Sequence, residues 1–123
     1  MNTSYSNLAV VLTIRNASTR LPCKAIREIN GKPIVSWIIQ RLQKLNGTVI
    51  VATTDDPTDN VIEKLITEVP VYRGSVNDVV VRMDQAVLAH APQAEFVLRA
   101  LGDCPFIETS LVKRAVDVMR EHR

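Results

Sequence analysis

Two stretches of the chain concentrate side chains suited to a charged substrate. Arg15-Asn16-Ala17-Ser18-Thr19-Arg20-Leu21-Pro22-Cys23-Lys24 holds two guanidiniums, an ammonium and two hydroxyls. A guanidinium presents a planar fork to two phosphate oxygens and a lysine a mobile point charge, so the mixture suits a triphosphate. The stretch is not a P-loop, which needs glycines and a Gly-Lys-Ser/Thr ending. Between Thr13 and Lys32 lie Arg15, Arg20, Lys24, Arg27 and Lys32 against the single acid Glu28. A basic surface loop can spread its charges into solvent at little cost. Its place directly after a strand is what points to a small anion.

The second stretch is Leu98-Arg99-Ala100-Leu101-Gly102-Asp103-Cys104-Pro105-Phe106, an apolar run that ends in Gly-Asp. Triphosphates arrive with Mg²⁺, which takes one or two protein carboxylates and completes its shell with phosphate and water. Asp103 is therefore the candidate metal ligand. Taken alone, Gly-Asp reads equally as a turn before Pro105.

The elements that must position these residues alternate regularly. Leu8 to Ile14 is a continuous, mostly β-branched apolar run, too short for a helix, and reads as a strand buried on both faces. Pro33 opens a helix with Ile34, Ile38, Leu42 and Leu45 at helical spacing and Trp37 alongside as core, and Asn46-Gly47 ends it. Thr48 to Thr54 is a second buried strand. Asp56-Pro57 starts a helix whose stripe is Val61, Ile62, Leu65, Ile66 and Val69. A third strand is expected over Val69 to Tyr72, a helix capped by Asp78 through Ala91, a fourth strand over Glu95 to Leu101, and a last helix capped by Thr109 or Ser110.

Such alternation implies right-handed crossovers and a doubly wound α/β fold, a mainly parallel sheet with helices on both faces. Ligands of such sheets sit at the carboxyl ends of the strands. That places the loops Arg15 to Lys24, Thr54 to Asp59, Arg73 to Asp78 and Gly102 to Phe106 around one crevice.

Composition narrows the partners. A net charge of +2 is too balanced for a long polyanion, and 4% aromatic content gives no stacking platform, so nucleic acid is not expected. Cys23 and Cys104 form no zinc spacing, and with no signal peptide or membrane-spanning run the expected setting is a reduced cytoplasm. At 123 residues the chain is read as one unit, 1–123. His90 and His122, at or near helix ends, read as exposed. A receiver-type signalling domain would need an acidic pair at the end of the first strand, where this chain has Ile14-Arg15.

Ser18-Thr19-Arg20-Leu21-Pro22-x-Lys24, Asn30-Gly31-Lys32-Pro33, Val51-Ala52-Thr53-Thr54-Asp55-Asp56, Tyr72-Arg73-Gly74-Ser75-x-x-Asp78-Val79 and Arg99-x-x-Gly102-Asp103-Cys104-Pro105-Phe106 occur in this order. Together they resemble the sugar cytidylyltransferases of the spore coat polysaccharide biosynthesis protein F type, related to the CMP-Kdo and CMP-sialic acid synthetases. The resemblance runs from about Leu8 to Met119 and implies a Rossmann-like nucleotidyltransferase fold. It implies that Leu12, Thr13, Ile14, Arg15, Ser18, Arg20 and Lys24 hold CTP, with Arg15 and Lys24 on phosphates, that Ser75 and Asp78 lie near the nucleotide, and that Asp103 binds Mg²⁺. Arg15, Lys24 and Asp103 are thus the expected catalytic residues. The implied reaction is attack of a sugar hydroxyl on the α-phosphate with release of pyrophosphate, in surface polysaccharide or glycan precursor synthesis. Such a reaction asks mainly for positioning and charge neutralisation.

Departures from the family pattern are Ile14, where alanine is usual, and Cys23, where glycine is usual. The family's fold also continues past position 123 with the sugar-acceptor region, a second metal-binding aspartate and the elements of a homodimer. The expectation is a truncated nucleotide-binding portion that binds CTP without turning it over, and the alternative is a catalytically incomplete nucleotide- or partner-binding module. No membrane partner is expected.

Overall fold

A computed structural model describes residues 7–15 and 27–101, together with the helical positions 114, 117, 118 and 121. The order of elements is β1 (Leu8–Thr13), β2 (Glu28–Ile29), β3 (Lys32–Pro33), α1 (Ile34–Gln43), β4 (Thr48–Thr54), a 3₁₀ turn (Pro57–Asp59), α2 (Asn60–Leu65), β5 (Val71–Gly74), α3 (Val79–His90) and β6 (Phe96–Leu101). Strands β5-β4-β1-β6 form one sheet, and every pairing in it is parallel. The chain moves outward from β1 through β4 to β5, then returns to the other side of β1 as β6. The order therefore reverses between β1 and β6, which is where an open parallel sheet leaves a crevice at its carboxyl edge.

Alternation of side chains along β1 explains why both faces must be covered. Leu8, Val10, Leu12 and Ile14 join Val49 and Val51 of β4 and pack on Val35, Ile38, Ile39 and Leu42 of α1 and Ile62 of α2. Ala9, Val11, Ile50 and Ala52 face the other way and meet Ala86, Met83 and Val87 of α3. Helices thus lie on both faces, as the sequence implies. The α3 side is built mostly from small side chains, which let the helix lie close to the sheet.

The ends of α1 follow its local sequence. Pro33, at φ −57° and ψ 145°, stands just before the first turn, and Asn46 adopts the left-handed φ of 58° after the last. Between β2 and β3, Asn30 and Gly31 have φ of 53° and 78°, the pair of positive values that a tight two-residue hairpin turn demands.

Four expectations are corrected. Asp56-Pro57 opens a 3₁₀ turn, and the α-helix that follows is only Asn60–Leu65, because Ile66 turns extended (φ −93°, ψ 115°). Its stripe narrows accordingly: Ile62 and Ile66 are buried, whereas Val61 and Leu65 are each 37% exposed. The third strand lies at Val71–Gly74, later than its apolar start suggested. Trp37 is half-buried outside the core, where its Nε1 donates to the Ile29 carbonyl at 3.0 Å and Lys32 Nζ sits 4.4 Å from its ring centroid. The small hairpin β2–β3 was not anticipated. Thr109 and Ser110 lie outside the described residues, and Arg114, Asp117, Val118 and Glu121 are helical and exposed.

Gly74, at the carboxyl end of β5, has no room for a side chain. A Cβ there would stand 2.9 Å from Tyr72 Cε1 and 3.2 Å from Arg82 Cγ. Gly74→Ala is expected to lower stability by about 1–3 kcal/mol through overpacking, measured by urea unfolding. An unchanged midpoint would mean that Tyr72 and Arg82 yield freely.

Candidate functional site

The carboxyl ends of β1, β4, β5 and β6 gather a set of polar groups whose roles can be read one by one. Thr13, at the end of β1, is buried; its hydroxyl donates to the Ala100 carbonyl at 3.4 Å and accepts from Arg99 Nε at 3.2 Å. It ties β1 to β6 across the reversal point and orients Arg99. Leu12 and Ile14 are buried in the core, and the Ile14 amide donates to the Ala52 carbonyl at 3.2 Å. Their side chains are committed to packing, so only their backbone can face a ligand. Arg15 follows directly and is exposed.

Beside β4, the loop 54–60 is tied to β5 by the Asp55 amide, which donates to the Gly74 carbonyl at 3.0 Å, and by the side chain of Arg73. Arg73 donates through Nε to the Thr54 carbonyl at 2.8 Å, through Nη2 to the Asp56 carbonyl at 2.7 Å and through Nη1 to Asn60 Oδ1 at 2.6 Å. Glu63 lies 3.5 Å from the same Nη1. Thr54 donates its hydroxyl to the buried Asp59 carboxylate. Asp56 accepts from the Thr58 hydroxyl and amide, at 2.7 and 2.9 Å. Those two bonds, with Arg15 and Arg73 nearby, hold the Asp56 carboxyl below the usual carboxylate range.

The loop after β5 is self-supporting. The Asp78 amide donates to Ser75 Oγ at 3.1 Å, and Asp78 Oδ1 caps α3 by accepting from the Val81 amide at 3.0 Å. Ser75 and Asp78 therefore shape the turn and present the amino end of α3, with its positive dipole, at the carboxyl edge of the sheet, beyond β5. One turn into α3, Arg82 is 2% exposed; its Nη1 donates to the Ser75 carbonyl at 3.2 Å, and its Nε finds no acceptor among the described residues. Burial pulls the Arg82 guanidinium below its usual range; Arg15 and Arg99 push it the same way, and Asp59 opposes them.

Of the residues expected from sequence, Leu12, Thr13, Ile14, Arg15, Ser75 and Asp78 come together at this edge of the sheet. Ser18, Arg20, Lys24 and Asp103 lie outside the described residues, as do Cys23 and Cys104. Arg82 and Arg99 were not expected as site residues. Arg99 belongs to the Arg99-x-x-Gly102-Asp103 motif, but Arg82 carries no local signal: a basic residue in a helix reads as solvent-facing until its strand neighbours are known. Among the described residues no group of three or more His, Cys, Asp or Glu could hold a metal, and no helix is long and apolar enough to cross a membrane.

A parallel sheet reversing beside β1, with guanidiniums at its carboxyl edge, has the architecture of a Rossmann-like nucleotidyltransferase. A family model described as Cytidylyltransferase matches residues 9–123, and the chain belongs to that family. It is 29% identical over 115 residues to a 3-deoxy-manno-octulosonate cytidylyltransferase of Anaeromyxobacter dehalogenans (strain 2CP-C), covering 92% of this chain and 47% of that protein. A cytidylyltransferase from Leptospira borgpetersenii serovar Hardjo-bovis (strain JB197) superposes with a TM-score of 0.82 at 29% identity, over 91% of this chain and 48% of that one. A CMP:2-keto-3-deoxy-manno-octonic acid synthetase solved in complex with CTP shares the fold, with a TM-score of 0.74 at 24% identity over 93% of this chain and 47% of that one. The chain thus spans about half the length of these relatives.

Proposed function

We propose that this chain forms the nucleotide-binding portion, 1–123, of an enzyme that binds CTP with Mg²⁺ and transfers CMP to a sugar hydroxyl, releasing pyrophosphate. The observation that carries this reading is the match of residues 9–123 to the Cytidylyltransferase family. The crevice at the ends of β1 and β6 suits the chemistry. The sugar oxygen attacks the α-phosphorus; the new P–O bond forms as the bond to the β-phosphate oxygen breaks, and that oxygen departs with pyrophosphate. This chain's contribution is to grip the nucleotide: the backbone at Leu12 to Ile14 lines the crevice floor, Arg15, Arg20 and Lys24 neutralise phosphate oxygens, and the Ser18 hydroxyl donates a hydrogen bond. Ser75 and Asp78 keep the opposing turn in place.

The donor set fits a hard cation better than zinc. As the sequence implies it, the set is the Asp103 carboxylate with phosphate oxygens, all hard oxygen donors. Mg²⁺ held by Asp103 would supply charge neutralisation on the transferring phosphate. The relatives' names point to 3-deoxy-manno-octulosonate as the acceptor class to try first. A role in surface polysaccharide precursor synthesis in the cytoplasm, as a homodimer, belongs to the same proposal.

The test is pyrophosphate release by the protein at its full encoded length, with CTP, Mg²⁺ and candidate sugars. Release is expected with CTP and a 3-deoxy-2-keto acid sugar, and to fall to background in Asp103→Asn. No release with any sugar, or equal rates with ATP and UTP, would contradict the proposal.

A further inference from the structure

Asp59 and Arg82 are the buried charged residues among those described, 1% and 2% exposed, and they come from different elements. Asp59 closes the 3₁₀ turn after β4 and stands at the amino end of α2, where an aspartate ordinarily caps the helix. It makes no such cap; its carboxylate accepts the Thr54 hydroxyl instead. Arg82 lies one turn into α3 and donates through Nη1 to the Ser75 carbonyl at 3.2 Å.

Strand register brings the two together. Thr54 of β4 pairs with Gly74 of β5, and both face α3, as Ala52 and Ile50 do two and four residues before Thr54. Gly74 puts no side chain on that face, and Arg82 Cγ fills the space, 3.2 Å from where a Cβ would stand. Neighbouring strands are about 4.8 Å apart. The carboxylate held on Thr54 and the guanidinium whose stem rests on Gly74 are therefore neighbours, and Asp59 favours the charged form of Arg82 against its burial. A buried charge is tolerated where an opposite one accompanies it.

We propose that Asp59 and Arg82 are positioning residues, a buried pair of opposite charges that locks the turn after β4 to the turn after β5, so that residues 54–60 and 75–78 keep one relative arrangement. Each partner fixes its own loop. The Thr54 hydroxyl, while donating to Asp59, accepts from the Asp56 amide at 3.2 Å. Arg82 holds the Ser75 carbonyl, while Ser75 Oγ accepts from the Asp78 amide and Asp78 caps α3 at Val81. Arg73 and the Asp55 amide tie the loop 54–60 to β5, and the Asp59–Arg82 pair carries the tie past β5 to α3. The pair bears on the nucleotide through the CTP reading, on which the placing of Ser75 and Asp78 beside CTP rests.

The test is amide hydrogen exchange without nucleotide, in wild type, Asp59→Asn, Arg82→Met and the double variant, with the amides of β1 as the reference for global opening. Asp59→Asn leaves the Thr54 hydroxyl an acceptor and removes the charge; Arg82→Met keeps an apolar stem over Gly74 and removes the charge. Each single variant is expected to speed exchange in the other partner's loop: Asp59→Asn at Asp78 and Val81, and Arg82→Met at Asp56 and Thr58, by at least ~10-fold relative to β1. Arg82→Lys, which keeps the charge, is expected to speed Asp56 and Thr58 less than Arg82→Met does. In the double variant the acceleration is expected to fall short of the product of the two single effects, because no buried charge is left unpaired.

Exchange that changes only in each variant's own loop, that rises equally in β1, or whose single effects multiply in the double variant overturns the inference. Should the single variants fail to fold, Thr54→Val removes just the hydroxyl that holds Asp59, and unchanged exchange at Asp78 and Val81 in that variant overturns it too. If the loops are coupled in this way while Asp59→Asn binds CTP as wild type does, the pair stands and Ser75 and Asp78 leave the nucleotide site.

Discussion

Arg73→Ala is expected to lower the stability of the protein by about 2–3 kcal/mol, because one side chain closes the loop after β4. The wild-type guanidinium satisfies the carbonyls of Thr54 and Asp56 and the amide oxygen of Asn60, all within 2.8 Å. Truncation leaves those acceptors to water in a partly buried place, and no neighbour is positioned to replace a three-way fork. The bonds are not additive, and the Glu63 contact is mostly solvent-exposed, so the sum of separate charged bonds is not expected. Arg73→Lys should recover little, since an ammonium cannot span three acceptors in one plane. Urea unfolding measures the loss. A change below about 0.5 kcal/mol would mean that the loop holds without Arg73, through the Asp56–Thr58, Thr54–Asp59 and Asp55–Gly74 bonds.

Lys24→Ala should weaken CTP binding by about 1–3 kcal/mol, or roughly 5- to 150-fold, the range for a lost charge-assisted contact to phosphate. The expectation follows from the family pattern Ser18-Thr19-Arg20-Leu21-Pro22-x-Lys24 and from the place of Arg15 directly after β1, at the carboxyl edge of the sheet. Raised salt should narrow the gap between wild type and variant, because an ammonium on a flexible stem acts as a screened point charge. Calorimetry decides, and equal affinity in the variant would remove Lys24 from the site.

The sheet was legible in the sequence because its central strands are unbroken apolar runs. Leu8 to Ile14 and Thr48 to Thr54 bury both faces, and no helix can be written over so few residues. Helix α1 was legible from its i, i+4 spacing and its Pro33 and Asn46 boundaries, and α3 from the Asp78 cap. The β2–β3 hairpin was missed although Asn30-Gly31 is a strong two-residue turn signal, because strands of two residues have no alternation to reveal them. Helix α2 was drawn too long because Ile66 and Val69 continue the apolar spacing of Ile62, and only tertiary packing tells a helical Ile66 from an extended one.

The site divides the same way. Arg15 and the polar run behind it suggest an anion loop from residue types alone, and of that run only Arg15 lies among the described residues. Thr13 gave no hint that its hydroxyl would join β1 to β6, since that bond spans 87 positions in sequence. Arg73 and Arg82 were equally silent: each owes its role to carbonyls supplied by other elements. Ser75 and Asp78, expected near the nucleotide, build the turn that carries them, a structural duty that spacing cannot express.

The central claim is that the carboxyl edge of the sheet, between β1 and the 75–82 region, receives CTP. Amide hydrogen exchange with and without saturating CTP and Mg²⁺ tests it most directly. The account predicts slowed exchange at residues 12–15, 74–82 and 99–101, with the hairpin at 28–33 and the amino ends of β4 and β5 unchanged. Protection confined to the amino ends of the strands, or no protection at saturating CTP, would contradict it.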